Sequence, residues 1–170
     1  MTALRPVAER DLAVLDAEYA DPESSGEFAW FGFRSPGGRA QQVASGESLR
    51  NDGGRLAIVD EFDAPVGEIS WRVALNGPPG RGECWQIGIW VAPEARGKGH
   101  ASAAQRQLAA YLFAHTPYVR VEASTEVGNV GEQRALEKAG FAREGVLRRA
   151  CFRDGEWRDM VMFSKLRGEA

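Results

Sequence analysis

The stretch Val91-Ala92-Pro93-Glu94-Ala95-Arg96-Gly97-Lys98-Gly99-His100-Ala101 joins a predicted strand to a predicted helix through a glycine-containing turn. The preceding residues, 84–91, are rich in β-branched and aromatic side chains, which favour a strand. Pro93 lacks a backbone N–H and ends that strand, and we expect the helix to start near Gly97 or Lys98. This part of the chain is therefore predicted to be a strand-turn-helix unit.

The turn has the features of a phosphate-binding site. The first N–H groups of a helix have no partner within the helix, and the helix dipole makes that end positive. Gly97 and Gly99 let an anion approach the backbone closely, while Arg96 and Lys98 add positive charge. We predict a pyrophosphate here. The alternative is an ordinary turn with two solvated cations.

Two other glycine-rich phosphate loops are excluded by their spacing. The dinucleotide-binding fingerprint requires a third glycine where this chain has Ser102. The Walker loop requires Ser or Thr after Gly-Lys, whereas Gly99 follows here. The remaining pattern, Arg-x-x-Gly-x-Ala at residues 96–101, resembles the acetyl-coenzyme A signature of the GNAT N-acetyltransferases.

A second motif occupies residues 129–141. Asn129 is a favourable helix N-cap, and Gly140 is placed to stop the helix before a strand that starts at Phe141. The segment resembles the Asn-x-x-x-x-Arg-x-Leu-Glu-Lys-x-Gly-Phe pattern of the GNAT branch that includes the ribosomal-protein N-terminal acetyltransferases. Residues 145–159 resemble that branch too. The resemblance covers residues 56–166 well and the first third of the chain only loosely.

The resemblance implies an α/β (α+β) fold with a GNAT-like mixed, mostly antiparallel sheet flanked by helices, with splayed fourth and fifth strands. We expect one N-acetyltransferase domain over residues 1–170. Local patterns predict a strand at 4–7, helices at 11–19 and 39–49, strands at 55–60, 66–74 and 84–91, a helix at 100–115, a strand at 118–123, a helix from 129, and a hairpin of 141–153 and 157–166.

Gly88 lies inside the fourth predicted strand, where glycine often marks a bulge or a close backbone approach. In GNAT proteins a bulge splays this strand from the next, and the unpaired backbone binds the pantetheine arm. Packing against a tryptophan is the alternative for Gly88, and helix capping alone is the alternative for Asn129. The predicted coenzyme, acetyl-CoA, would contact Ile89, Val91, Arg96, Gly97, Lys98, Gly99, His100, Ala101 and Asn129.

The chemistry implied by the resemblance is direct acetyl transfer from a thioester to a primary amine, without a cysteine intermediate. An alkylammonium has a pKa near ~10.4, so a base must first take its proton. The candidate catalytic residues are Glu132, Glu83 and Glu68, and Glu122 is a further possible base. Glu132 is equally expected to be a capping-box acid, because it lies three residues after Asn129.

Three positions depart from the family pattern. Many relatives carry a Tyr acid where this chain has Leu136, and the branch often has a Ser at the position of Glu132 and a Glu at that of Gln86. The acid and the base therefore stay open. A noncatalytic acyl-CoA-binding or sensing module of the same fold is the alternative function.

The acceptor is expected to bind near the aromatic N-terminal third. Phe28, Trp30 and Phe31, with Trp71, are predicted to line its pocket, although the same aromatics would also suit a sheet edge or a dimer contact. The predicted acceptor is a primary amine of a small molecule (metabolite or antibiotic) or a protein N-terminus. A homodimer is possible, as in many members of this branch.

Composition narrows the class of protein. The 170 residues carry 21 Lys and Arg against 24 Asp and Glu, a net charge of −3, which argues against nucleic-acid binding. No apolar run approaches the ~20 residues that span a bilayer, so we expect a cytoplasmic protein without a membrane partner. Cys84 and Cys151 are expected to be buried thiols, and no metal-ligand spacing is present.

Overall fold

A computed structural model describes residues 1–33 and 37–169 of the chain. The strands are β1 (Ala3–Pro6), β2 (Leu49–Arg50), β3 (Gly53–Val59), β4 (Pro65–Leu75), β5 (Glu83–Val91), β6 (Arg120–Glu126), β7 (Ala142–Arg153) and β8 (Glu156–Leu166). The α-helices are α1 (Leu12–Leu15), α2 (Pro22–Ser25), α3 (Gly37–Ser45), α4 (His100–His115) and α5 (Val130–Lys138).

Within the described residues, the eight strands form one sheet in the order β1-β3-β4-β5-β6-β8-β7, with β2 beside β3. The pair β5 and β6 is parallel, and the other neighbouring strands run antiparallel. The predicted mixed, mostly antiparallel sheet is therefore confirmed. The predicted hairpin around Asp154 and Gly155 is also present, with Arg153 opposite Glu156.

The opening in the sheet lies between β5 and β6. These are the fourth and fifth strands of the prediction. They pair only at Trp85 with Val121 and at Gln86 with Glu122, so the predicted splay is confirmed. The predicted bulge at Gly88 is wrong, because β4 and β5 keep one continuous register from Gly67↔Val91 to Leu75↔Glu83. Each strand of the opening follows its own antiparallel partner, β4 or β8, and the two strands diverge without an extra residue.

Several helix boundaries differ from the prediction. The predicted helix at 100–115 is confirmed as α4, but the earlier start expected near Gly97 or Lys98 is wrong, because Gly97 and Gly99 adopt φ values of 75° and 85° that a right-handed helix cannot contain. The predicted helix at 11–19 is a series of short turns: a 3₁₀ turn at Glu9–Asp11, α1, and a second 3₁₀ turn at Asp16–Tyr19. The predicted helix at 39–49 ends at Ser45.

The core packs on both faces of the sheet. Helices α4 and α5 cover one face, where Leu108, Leu112 and Leu136 are fully buried. The N-terminal segment covers the other face, where Leu15 is fully buried beside Trp90. Because successive strand residues point to opposite faces, neighbouring positions of β5 contribute to different core clusters.

The cysteines differ from each other. Cys84 is buried and free, and burial raises the pKa of its thiol to about 11. Cys151 is also free but only half-buried, so its expected burial is wrong. Cys151 lies on β7, the edge strand, which has a neighbouring strand, β8, on one side only.

In the described ranges, no helix combines the length and the apolar character needed to cross a membrane.

Candidate active site

A first cavity of about 520 Å³ lies between the end of β5, the start of α4 and one face of α5. Ile89 and Val91 line it from β5, in the part of the strand that has left β6. On the edge of β5 that faces β6, the backbone N–H and C=O groups near Ile89 and Val91 pair with no strand in the described residues. An extended ligand with amide groups is able to pair with such an edge as an added strand.

The start of α4 is the polar end of the first cavity. Gly97, Gly99, His100 and Ala101 all line it. A Cβ added at either glycine would meet nothing within 4 Å, so the backbone there borders open space. Gly99 is the N-cap and gives no side-chain cap to this 16-residue helix, which leaves its first N–H groups available to an anion.

The two cations predicted at this turn are placed differently. The Arg96 guanidinium lines the first cavity but donates hydrogen bonds to the carbonyl oxygens of Val91 (2.9 Å) and Ser25 (3.2 Å). It therefore holds the turn against the N-terminal segment. Gly26, with φ of 88°, makes this possible, because a Cβ there would lie 2.8 Å from the guanidinium nitrogens. Lys98 is exposed and does not line the cavity.

Two cations that were not predicted from the sequence, Arg134 and Lys138, do line the first cavity. Arg134 and Lys138 lie four residues apart, on the same face of α5. Like charges at this spacing repel each other, and an anion bound on that face would relieve the repulsion. They give this cavity the positive charge that was expected from Lys98.

A second cavity of about 410 Å³ adjoins the first one through the opening between β5 and β6. Phe28, Ile89, Trp90, Asn129 and Glu132 line both cavities. The second cavity continues between the N-terminal segment and the sheet. Its acidic lining residues are Glu18, Glu68, Glu126 and Glu132.

Glu132 lies where the two cavities meet. Its carboxylate accepts a hydrogen bond from Nε2 of Gln105, and burial raises the pKa of Glu132 to about 7. In the described residues no cation pairs with this carboxylate, so its charge is not neutralised. A carboxyl group with this pKa is able to accept and release a proton near neutral pH.

Asn129 forms the predicted N-cap without a reciprocal capping box. Its Oδ1 accepts a hydrogen bond from the Glu132 N–H at 3.2 Å, and its Nδ2 donates to Thr125 Oγ1 at 2.9 Å. The Asn129 N–H donates instead to the Glu126 carbonyl. The Glu132 carboxylate is therefore free of the capping role that was its alternative.

The other three acidic candidates are occupied by partners. Glu68 lines the second cavity but pairs with Arg39 and Arg55, each at 3.0 Å. Glu83 is the first residue of β5, and its carboxylate accepts a hydrogen bond from the Gly80 N–H in the preceding turn. Backbone N–H groups of this turn lower the pKa of Glu83. Glu122 pairs with Arg120 at 2.7 Å. Of the four candidates, Glu132 alone borders both cavities.

The predicted acceptor aromatics separate into two groups. Phe28 lines both cavities and Phe31 lines the second. Trp30 packs edge-on against Phe33, with ring centres 5.2 Å apart, and lines neither cavity. Trp71 is buried in the core against Tyr111 and borders a different, third cavity.

The comparison with known families agrees with this architecture. The model of the acetyltransferase (GNAT) domain family matches residues 2–142, so the chain belongs to the GNAT acetyltransferase family. The chain is 37% identical over 84 residues to the putative ribosomal N-acetyltransferase YdaF of Bacillus subtilis (strain 168), a match that covers 49% of this chain and 46% of that protein. The chain spans about half the length of the curated relatives it matches first.

Two solved structures share the fold. The ribosomal-protein-S5-alanine acetyltransferase from Vibrio fischeri has a TM-score of 0.77 at 21% identity, covering 98% of this chain and 93% of that one. The spermidine N-acetyltransferase from Vibrio cholerae in complex with CoA and spermine has a TM-score of 0.75 at 20% identity, covering 99% and 96%. The fold expected from the sequence resemblance is therefore confirmed.

Proposed function

We propose that this protein is an acetyl-CoA-dependent N-acetyltransferase that moves an acetyl group to a primary amine by direct attack. The observation that carries the proposal is the position of Glu132, an unpaired carboxyl group with a pKa of about 7 at the junction of two cavities. One cavity suits a coenzyme, and the other suits an amine acceptor.

The first cavity fits the coenzyme in three places. The open backbone at Gly97 and Gly99 and the start of α4 suit a pyrophosphate. Arg134 and Lys138 supply positive charge for phosphate groups. The uncovered edge of β5 suits the amide groups of a pantetheine arm. When bound, the coenzyme supplies an acetyl thioester.

Glu132 acts as the general base and then as the general acid. The carboxylate takes a proton from the acceptor ammonium, which leaves a neutral amine for attack on the thioester carbonyl. The new C–N bond makes the nitrogen cationic, and this nitrogen releases its second proton to solvent as the C–S bond breaks. Backbone N–H groups between Ile89 and Val91 stabilise the negative charge that develops on the carbonyl oxygen. Leu136 is fully buried and has no proton to give, so the protonated Glu132 is also the group available to protonate the leaving thiolate.

The structural neighbours support two classes of acceptor, a protein N-terminus and a small-molecule amine. One structural neighbour is named as a ribosomal-protein-S5-alanine acetyltransferase and another as a spermidine N-acetyltransferase. We propose a primary amine of a small molecule or a protein N-terminus, bound in the second cavity beside Phe28 and Phe31. We also propose that residues 1–170 work as one domain in the cytoplasm.

A homodimer is part of the proposal. Large apolar side chains are exposed on the hairpin of β7 and β8, at Val146, Leu147, Phe152 and Trp157. Since β7 is the edge of the sheet, a second copy of the chain is able to cover this hairpin.

Calorimetric titration with acetyl-CoA, followed by a thiol-release assay with a panel of amines and short peptides, tests the function. We expect binding and turnover by the wild type, and binding with turnover lowered at least about a hundredfold by Glu132→Gln. Binding without turnover by the wild type on every acceptor would favour a noncatalytic acyl-CoA-binding module. This module is the second candidate function, because Leu136 stands where many relatives have a catalytic tyrosine. Absence of binding would overturn both functions.

A further inference from the structure

A third cavity, of about 410 Å³, continues from the second one along the sheet towards α3 and β2. The two cavities share lining residues Arg55, Ser70, Ile87, Gly88 and Ser124, so a ligand in one is able to extend into the other. The third cavity lies beyond the opening between β5 and β6. Its position makes it an extension of the acceptor site rather than of the first cavity.

The floor of the third cavity is set by strand pairing. Ser70 pairs with Gly88, and Arg72 pairs with Gln86, so these four residues share one face of the sheet. Arg55 pairs with Ser70 from the other side and also points to this face. Arg72 lies two residues along β4 from Ser70, which is about 7 Å at the usual strand rise.

The charges of the second and third cavities have opposite signs. The charged lining residues of the third cavity are Arg50, Arg55, Arg72 and Glu47. Those of the second cavity are four glutamates and Arg55. In the described residues, Glu18, Glu68 and Glu126 pair with arginines, and Glu132 is the glutamate of this set without an ion pair. A ligand that spans both cavities therefore meets the Glu132 carboxyl group at one end and the arginines of the third cavity at the other.

Of the three arginines that line the third cavity, Arg72 has the least compensated charge. Its Nε donates a hydrogen bond to the neutral Oε1 of Gln86 at 3.0 Å, and its Nη2 donates to the same oxygen. In the part of the chain that the structure describes, no carboxylate forms an ion pair with Arg72. By contrast, Arg55 pairs with Glu68 at 3.0 Å and Arg50 pairs with Asp52 at 3.2 Å. The Gln86 amide thus orients a guanidinium without neutralising it.

We propose that the third cavity is an anion subsite of the acceptor, and that the acceptor is an amine that also carries a carboxylate. The amine lies in the second cavity near Glu132, and the carboxylate binds Arg72 with help from Arg55 and Arg50. This inference rests on the proposed acetyltransferase function and refines its substrate class. It disfavours polyamines, because a second ammonium would lie against the arginines.

Matched acceptors test the inference. The probes are ω-amino carboxylates with three to six carbons, the corresponding ω-amino amides and the corresponding diamines. A second arm uses short peptides with a free N-terminus and Glu or Gln at the following position, which distinguishes a free amino acid from a protein N-terminus. We expect at least one carboxylate probe to show a KM about tenfold lower than its amide, with similar kcat.

Three variants test whether the carboxylate preference depends on Arg72 or on the positive charge of the protein in general. Arg72→Gln and Gln86→Glu should each bring the KM values of a carboxylate and its amide to within about twofold, since a carboxylate at position 86 would pair with Arg72. The exposed Arg81, in the turn before β5, lines none of the three cavities, and Arg81→Gln should leave the preference unchanged.

The outcomes distinguish the two proposals. Turnover of amides or diamines as good as that of the carboxylates would overturn the anion subsite and leave the acetyltransferase function intact. A carboxylate preference that survives Arg72→Gln would also overturn it. Absence of turnover on all probes, in protein that binds acetyl-CoA, would overturn the proposed function and this inference with it.

Discussion

The Glu132 carboxylate accepts a hydrogen bond from Nε2 of Gln105, which joins α5 to α4 at the junction of the first and second cavities. Gln105 is almost completely buried, and its Oε1 has no hydrogen-bond partner among the described residues. Burial raises the pKa of Glu132 to about 7, and the Gln105 hydrogen bond opposes this by favouring the charged form.

The pH dependence of the reaction should report Glu132. A base must be deprotonated, so kcat/KM should rise with pH through an apparent pKa of about 7 and then level off. Glu132→Gln should remove this limb and lower kcat/KM by roughly 10²–10⁴-fold. A profile that falls with pH through the same range would show instead that the protonated form is required from the start.

Gln105→Leu should move the rising limb to higher pH. The substitution removes the hydrogen bond that favours the Glu132 carboxylate and keeps the site buried, so the pKa of Glu132 rises further. Gln107, which lies on the same helix and donates to the Thr2 carbonyl, supplies the control. Gln107→Leu should leave the limb in place, and equal profiles for the two variants would contradict the role of Gln105.

The Glu132 carboxyl group should lower the free energy of unfolding above neutral pH. Its pKa in the folded protein is about 7, against an ordinary value of 4.5, so the folded state binds more protons between these values and stability falls as pH rises. The penalty is complete above pH 7 and amounts to at most about 3–4 kcal/mol. Urea unfolding of wild type and Glu132→Gln should give similar free energies at pH 4.5 and a more stable variant at pH 8. Parallel curves would contradict the raised pKa.

Local patterns predicted the elements that carry the site, because strand composition and helix caps are local signals. Asn129 as N-cap and Gly140, with φ of 87°, as the helix stop both occur as predicted. The helix pattern at 100–115 predicted the bounds of α4, whereas the start expected from the turn, near Gly97 or Lys98, lies two to three residues too early, since composition does not reveal which glycines adopt positive φ. The continuous register beside Gly88 was not predicted for a similar reason: pairing decides whether a glycine forms a bulge.

The chemistry of individual side chains depended on distant residues. The direction of Arg96 is set by the carbonyl of Ser25, 71 residues away in the chain. The selection of Glu132 among four acids depends on arginines that neutralise Glu68 and Glu122 and on Gln105, 27 residues before it. A single sequence without the fold does not contain these distances.

The phosphate-binding role of the α4 start is tested by introducing a negative charge there. Gly99→Glu places bulk and negative charge beside the helix N-terminus and should weaken acetyl-CoA binding at least about a hundredfold in calorimetry. Gly155 supplies a matched control, because it also has positive φ (77°) and open space, in the β7–β8 turn away from the cavities. Gly155→Glu should bind normally. Unchanged affinity in folded Gly99→Glu would refute this placement of the coenzyme.

Arg39 should be the arginine on which stability depends most. It is 3% exposed and donates hydrogen bonds to Glu68 at 3.0 Å and to the Leu15 carbonyl at 2.7 Å, thereby tying α3 to α1 and β4. Arg39→Ala leaves Glu68 buried with Arg55 as its remaining cation, and should cost about 3–5 kcal/mol. The control is Arg10, which forms an exposed ion pair.

Arg10→Ala should cost less than about 1 kcal/mol, because its partner Asp63 is exposed and solvent screens the pair. Urea denaturation of both variants measures the difference in the free energy of unfolding. If Arg39→Ala costs no more than Arg10→Ala, the buried network adds little to the fold. In that event the position of Glu68 beside the second cavity is maintained by the pairing of β3 with β4 and by Arg55.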